Sequence, residues 1–334
     1  MRMRHTDEYW LTQRWRLFLM VGGCIALWAI VVCGQSARRA PSATSEHAQT
    51  TTPQPSPNIV EPVVTNTDLV SVIVSVTDRD GRHVTGLDKE VFTVYDDKLP
   101  QEIKFFSDVD TPVSLAIIFD TSHSMSGDKV ERAREALAQF VETSHREDEY
   151  FVISFSDRAK LLLDKTRDPD AMLAKFTYVR PHGETALYDA TYLGVEKVVR
   201  GSKPRRAILL ITDGNDTSSR YTLQELRRSL QESDVVLYAI GILAFSRNEA
   251  RIGRNTLGEL ASVTGGKAFF PDGQVEMAEA FEQIALELRS QYSISYQPTD
   301  LTADRKWHRV TVDVKPANRS KLVVRNREGF YAPW

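Results

Sequence analysis

VSLAIIFDTSHS, the stretch from Val113 to Ser124, decides how the rest of the chain is read. Val113–Phe119 carries no charge and is mostly apolar, as expected for a strand covered on both faces. Asp120 closes it. In an open α/β sheet, ligands bind at the carboxyl ends of the strands, so the polar run Asp120-Thr121-Ser122-His123-Ser124 marks a candidate site.

Downstream, the same kind of strand recurs at Tyr150–Phe155, Arg206–Thr212, Val235–Ile242 and, briefly, Ala268–Phe270. Between the strands the apolar period becomes helical. Lys129–Val141 puts Ala133, Ala136, Leu137 and Phe140 on one side, and Met277–Arg289 does so with Ala280, Ile284, Ala285 and Leu288. Tyr188–Val199, Leu223–Leu230 and Asn255–Val263 complete the set, the last stopping at Gly265-Gly266. Repeated strand-then-helix units predict a doubly wound, mostly parallel α/β sheet flanked by helices, spanning residues 111–290.

Further out, the period changes to two. Val70, Val72, Val74 and Val76 share one face, Asp80-Gly81 makes a turn, and strands follow around Phe92–Tyr95 and Ile103–Phe106. After Gln291 the alternation returns with Tyr292, Ile294 and Tyr296, then Val310, Val312 and Val314, then Leu322–Val324. Neither group has enough strands to stand alone. Residues 61–110 and 291–334 are therefore expected to form one β-sandwich into which the α/β domain is inserted. Asp96-Asp97 reads as a solvated hairpin turn, and Asp78, Asp80 and Asp88 as turn chemistry rather than an ion site.

Residues 1–34 hold the uncharged run Leu17–Cys33, preceded by Arg2, Arg4, Arg14 and Arg16. At about 1.5 Å per residue such a run just crosses a hydrocarbon core of about 30 Å, and the arginines keep its start in the cytoplasm. It is read as a signal anchor, with cleavage near Gly34-Gln35-Ser36 as the alternative. Residues 35–60, rich in Ser, Thr and Pro, form a linker. The body is thus expected outside the cytoplasm, in the cell envelope. The 2 cysteines, Cys24 and Cys33, both lie in the apolar run, so no disulfide, thiolate metal site or cysteine nucleophile is available beyond it. A net charge of −3 gives no nucleic-acid surface.

Three segments bring oxygen donors to strand ends: Asp120, Ser122 and Ser124; Thr185, in Gly183-Glu184-Thr185-Ala186; and Asp213, in Thr212-Asp213-Gly214. All are hard donors, suited to Mg²⁺, Mn²⁺ or Ca²⁺ and poorly suited to Zn²⁺. Hydroxyl ligands are neutral, so an ion held this way stays electrophilic and accepts a further carboxylate. Singly, each residue has a plainer reading: Ser122, Ser124 and Thr185 as helix caps, Asp213 as a turn residue.

D-x-S-x-S at 120–124, GETALYDA at 183–190 and ITDG at 211–214 resemble the metal-ion-dependent adhesion site of von Willebrand factor type A (VWA) and integrin I domains. The resemblance implies that Asp120, Ser122, Ser124, Thr185 and Asp213 are the metal ligands, with Mg²⁺ first among the candidates. The flanks, VIVSVTDRDGRHVTGLDKEVFTVYDDKLPQEIKFFS and REGFYAP, resemble a bacterial group of VWA proteins of the acidobacterial type. His123 and Glu184 stand where the family usually has glycine. The family implies metal-dependent protein recognition or adhesion, through an acidic residue of a protein partner. It also implies a last helix that shifts on binding; here Met277–Arg289 runs straight into strand Tyr292–Tyr296, so a shift would pull on the sandwich. The alternative is a structural scaffold for envelope complexes, with the ion only stabilising the loops.

Enzyme readings fit poorly. A phosphoaspartate mechanism at Asp120 wants a second aspartate where Ser122 stands. A nucleophile elbow at Ser124 wants glycine at that same position. There is no glycine-rich phosphate loop with lysine, so no catalytic residue is expected.

Overall fold

The computed structural model describes residues 69–177, 179–242, 247–299, 306–315 and 321–332. The apolar run and linker, residues 1–60, lie outside the described residues. Among the described residues, no helix is long and apolar enough to cross a membrane.

The elements follow in the order β1 (Val70–Thr77), β2 (Phe92–Asp96), β3 (Leu99–Gln101), β4 (Ile103–Ser107), β5 (Val113–Asp120), α1 (Lys129–Glu142), β6 (Glu149–Phe155), β7 (Ala159–Thr166), α2 (Pro169–Leu173) and α3 (Leu187–Val199). Then come β8 (Arg205–Thr212), α4 (Leu223–Gln231), β9 (Val236–Gly241), α5 (Arg247–Val263), β10 (Ala268–Phe269), α6 (Gln274–Ser290), β11 (Tyr292–Tyr296), β12 (Trp307–Val314), β13 (Val323–Arg325) and β14 (Gly329–Tyr331).

The central sheet has the order β10-β9-β8-β5-β6-β7. All its pairings are parallel except that of β7 with β6. β5 is buried throughout. Its side chains alternate: Leu115, Ile117 and Phe119 join the core under α1 and α6, while Ala116 and Ile118 join the core under α3, α4 and α5. That division explains the apolar run, because each face needs its own set of side chains. β5 pairs with β6 on one side and β8 on the other, which puts Asp120 near the middle of the carboxyl edge.

Two four-stranded sheets, β13-β1-β11-β4 and β14-β12-β2-β3, join strands from before and after the α/β body. β1 pairs antiparallel with β11 (Val72 opposite Ile294), and β2 with β12 (Val94 opposite Val312). Val72, Val74, Val94, Tyr292, Ile294 and Val310 fill a single core between them.

A buried polar network fastens this sandwich to the α/β body. Glu287 of α6, 2% exposed, accepts from Ser75 Oγ of β1 (2.8 Å) and Tyr238 Oη of β9 (2.9 Å), and pairs with Arg325 of β13. Arg205 donates to the carbonyls of Leu288 (3.1 Å) and Gln291 (2.9 Å), which holds the junction between α6 and β11.

Three differences from the sequence reading have physical causes. β7 was not expected: it is a half-exposed edge strand with irregular register, so it lacks a clean period. α5 begins at Arg247 rather than Asn255, because its first turns are polar and exposed. Asp97 and Lys98 make the expected hairpin turn with positive φ (46° and 71°), but Asp96 is buried and accepts from Tyr296 Oη at 3.0 Å. By contrast Asp78 and Asp80 sit in their turn and pair with Arg82.

Candidate metal centre at the carboxyl edge of the central sheet

The chain leaves β5 at Asp120 and turns at once into the loop carrying Ser122 and Ser124. Asp120 is fully buried. Its Oδ1 accepts the Ser122 backbone N–H at 2.8 Å and its Oδ2 accepts Thr212 Oγ1 at 2.6 Å. Thr212 ends β8, so this bond ties the first motif to the third. Burial pushes the Asp120 carboxyl up to about 6; hydrogen bonds from Ser122 and Thr212 oppose the shift, and the nearby Asp213 charge adds to it.

Ser122 Oγ and Ser124 Oγ lie 2.9 Å apart. That separation is a hydroxyl–hydroxyl hydrogen bond, and it brings two hard oxygen donors together as a divalent ion would require. The donor set is all oxygen, which also fits.

Thr185 and Asp213 are buried in the adjoining loops. Among the described residues, neither the Thr185 hydroxyl nor the Asp213 carboxylate hydrogen-bonds to the Asp120–Ser122–Ser124 group. Main-chain hydrogen bonds join their loops to the first. His123 N donates to Gly183 O (3.1 Å) and His182 N to Thr121 O (2.8 Å), joining the first and second loops. Thr217 N and Ser218 N donate to Thr185 O (2.9 and 3.2 Å), joining the second and third. Gly183 (φ 73°) turns close to Asp157: a Cβ there would lie 2.4 Å from its Oδ2.

The capping alternative is testable on these bonds. Ser122 precedes a short 3₁₀ turn at His123–Met125, but its side chain caps nothing. The residue before α3 is Ala186, again with no side-chain cap. The first N–H groups of α3 are met from the third loop instead: Tyr188 N by Asp216 Oδ1 and Asp189 N by Ser219 Oγ. The hydroxyls of Ser122, Ser124 and Thr185 are therefore free of capping duty.

The two departures from glycine have different places. His123 is exposed at the rim. Glu184 accepts from Thr217 Oγ1 at 3.0 Å and so braces the second loop against the third. Sequence reading missed Thr212, Thr217 and His182. Thr212 had a signal, since it ends a buried strand directly before Asp213. Thr217 and His182 had none, because their partners lie far away in sequence. A second group of metal-capable side chains, Asp96, Asp97 and His308, lies in the sandwich; there His308 Nδ1 meets Asp96 Oδ1 at 3.0 Å and Asp97 Oδ2 at 3.4 Å.

The doubly wound, mostly parallel sheet flanked by helices is the fold class expected from the sequence, with oxygen-bearing loops at its carboxyl edge. Residues 115–215 match the family model of the von Willebrand factor type A domain, and the chain carries a domain of that family. It is similar to the uncharacterized protein sll0103 of Synechocystis, 28% identical over 31% of this chain and 26% of that protein. It is also similar to mouse inter-alpha-trypsin inhibitor heavy chain 4, 25% identical over 56% of this chain and 21% of that one. The chain thus spans about a quarter or less of the length of these relatives. Among solved structures, a von Willebrand factor type A protein from Catenulispora acidiphila covers 81% of this chain and 75% of its own, with 16% identity and a TM-score of 0.45. The von Willebrand domain of the pilus tip protein Mfa5 from Porphyromonas gingivalis covers 53% of this chain and 95% of its own, with 14% identity and a TM-score of 0.45.

Proposed function

We propose that this chain is a recognition module of the cell envelope that captures a protein partner through a divalent ion, Mg²⁺ first, held by Asp120, Ser122, Ser124, Thr185 and Asp213. One observation carries the reading: at this edge a buried carboxylate and hydroxyls with no capping role are collected, and among the described residues no cationic side chain is bonded to them. Buried carboxylates need a compensating charge. When bound, the cation supplies that charge and leaves a coordination position for an acidic side chain of the partner.

The chain's own residues orient and preorganise. Thr212 and the Ser122 N–H fix the rotamer of Asp120. Glu184 and Thr217 hold the second and third loops together. The reading is of a binding module and not an enzyme. The Ser156–His182 pair near the site (3.2 Å) has its other imidazole nitrogen on the Arg180 carbonyl, so no carboxylate orients the ring as a catalytic triad requires. The N-terminal run, read as an anchor, would tether the module to the membrane with its body outside the cytoplasm.

The test is capture. The full chain, immobilised, is exposed to envelope extract with Mg²⁺, with EDTA, and as the Asp120→Ala variant. Recognition through the ion predicts partners retained only by the wild type with Mg²⁺. Equal retention in all three arms would instead support the scaffold role.

A further inference from the structure

In the β-sandwich, three side chains able to ligate a metal face one another: Asp96 and Asp97, where β2 ends, and His308 on β12. The two strands pair antiparallel with Asp96 opposite Val310. His308 lies two residues before Val310, so its side chain falls on the same face of the sheet as Asp96. Each of the three offers a ligand atom within 4.8 Å of the others.

The charges in this cluster do not balance. His308 Nδ1 stands 3.0 Å from Asp96 Oδ1 and 3.4 Å from Asp97 Oδ2. One imidazole nitrogen carries at most one proton, so it serves only one of the two carboxylates with a good hydrogen bond. Among the described residues, no lysine or arginine side chain pairs with either acid. Even with His308 protonated, two carboxylates face a single positive charge, and Asp96 is only 5% exposed. A buried carboxylate needs a compensating charge. A divalent cation in place of the shared proton balances both acids.

The ligand atoms are also held in place. Each carboxylate has one oxygen fixed by the protein and turns the other to the imidazole. Tyr296 Oη, from the facing sheet, donates to Asp96 Oδ2 at 3.0 Å. Arg309 N donates to Asp97 Oδ1 at 3.0 Å, and Asp97 N donates to Arg309 O at 2.9 Å. The His308 ring stacks on Phe330, with centroids 5.1 Å apart and 21° between the planes. Outer partners of this kind orient the ligands of a metal. The Asp97 side chain is exposed, so the cluster opens to solvent on that side.

We propose that Asp96, Asp97 and His308 form a second metal site, for Zn²⁺, with the fourth position left to water. The imidazole decides the metal: nitrogen together with carboxylate oxygen suits Zn²⁺, whereas the all-oxygen set at the carboxyl edge suits Mg²⁺. Mn²⁺ stands lowest in the first-row affinity series and binds a site of this kind weakly. Bound there, Zn²⁺ pins the turn between β2 and β3 to β12 and stabilises the sandwich, independently of the carboxyl edge.

The full chain, stripped of divalent ions, is titrated with Zn²⁺ by calorimetry and with Co²⁺ by visible absorption. A saturable Zn²⁺ site is expected that persists in Asp120→Ala and raises the thermal midpoint by about 5 °C at a hundredfold excess over Kd. Asp97→Asn, which tolerates the positive φ of the turn, weakens the site about tenfold. His308→Gln weakens it about a hundredfold and removes the nitrogen contribution to the Co²⁺ spectrum. Circular dichroism checks that both variants fold. Absence of saturable Zn²⁺ binding, a site lost in Asp120→Ala but kept in His308→Gln, or a Co²⁺ spectrum that His308→Gln leaves unchanged would overturn the proposal and leave the three residues an ion pair.

Discussion

At the amino edge of the central sheet, Glu149 accepts from Ser114 Oγ (2.6 Å) and Ser202 Oγ (2.7 Å), with Lys165 Nζ at 3.5 Å. Its neighbour Asp148 accepts from Val113 N (2.8 Å) and pairs with Arg289 at 2.8 Å. At the carboxyl edge, Asp120 lies deeper in the protein, with the hydroxyls of Thr212 and Ser122 and the Ser122 backbone N–H at its oxygens and no cation among its hydrogen-bond partners. Burial pushes both Glu149 and Asp120 upward. Hydrogen bonds from Ser114 and Ser202 outweigh it at Glu149, whose carboxyl stays below the usual value, while Asp120 rises to about 6. A carboxylate that the protein neutralises is architecture. One that the protein leaves short of positive charge is, on the function proposed above, where an external cation would sit.

The largest effect should come from breaking the compensated side. Glu287→Ala removes the acceptor shared by Ser75, Tyr238 and Arg325. It should cost about 2–4 kcal/mol in urea unfolding, because the buried Ser75 and Tyr238 hydroxyls lose their acceptor and the half-buried Arg325 loses its acid. A loss below about 1 kcal/mol would mean that this compensated carboxylate does not fasten the sandwich to the α/β body.

Asp120→Asn should do the opposite in metal-free buffer at pH 7.5. A shift from 3.8 to about 6 corresponds to a ceiling of about 3 kcal/mol, so removing the buried charge should stabilise the chain by roughly 1–2 kcal/mol. The same variant should lose any stabilisation by Mg²⁺.

The pH dependence follows from the same shift. Between about pH 4 and pH 6 the folded chain holds a proton on Asp120 that the unfolded chain has released. The Asp120 contribution to metal-free stability is therefore greatest below pH 4, falls as pH rises, and levels off above about 6. The difference between wild type and Asp120→Asn isolates it from the other carboxylates. Mg²⁺ should reverse the trend, stabilising more at pH 7.5 than at pH 5.

The smallest change in stability belongs to Ser122→Ala. Its hydroxyl caps no helix, so metal-free stability should stay within about 1 kcal/mol of wild type, while affinity for Mn²⁺ falls about tenfold. Equal Mn²⁺ affinity would remove Ser122 from the ligand set.

Legibility in the sequence follows burial and locality. β5 and β8 could be read because strands packed on both faces must be apolar throughout, and α1 because one face alone touches the core. β7 and the first turns of α5 could not, since half-exposed segments keep no strict period. Asp96 was misread because its burial depends on Tyr296 and His308, both about 200 residues downstream. At the candidate site, the order of the oxygen donors was plain, because each follows or precedes an element end. The bonds that draw the loops together, Thr212 to Asp120 and Thr217 to Glu184, link distant segments and leave no local trace.

Manganese titration of the full chain at pH 7.5, followed by calorimetry in two buffers of different ionisation enthalpy, tests the central claim most directly. One saturable site is predicted, lost in Asp120→Ala, with proton release appearing as the pH is lowered toward 6. Heats indistinguishable from dilution, or a site that survives in Asp120→Ala, would contradict it.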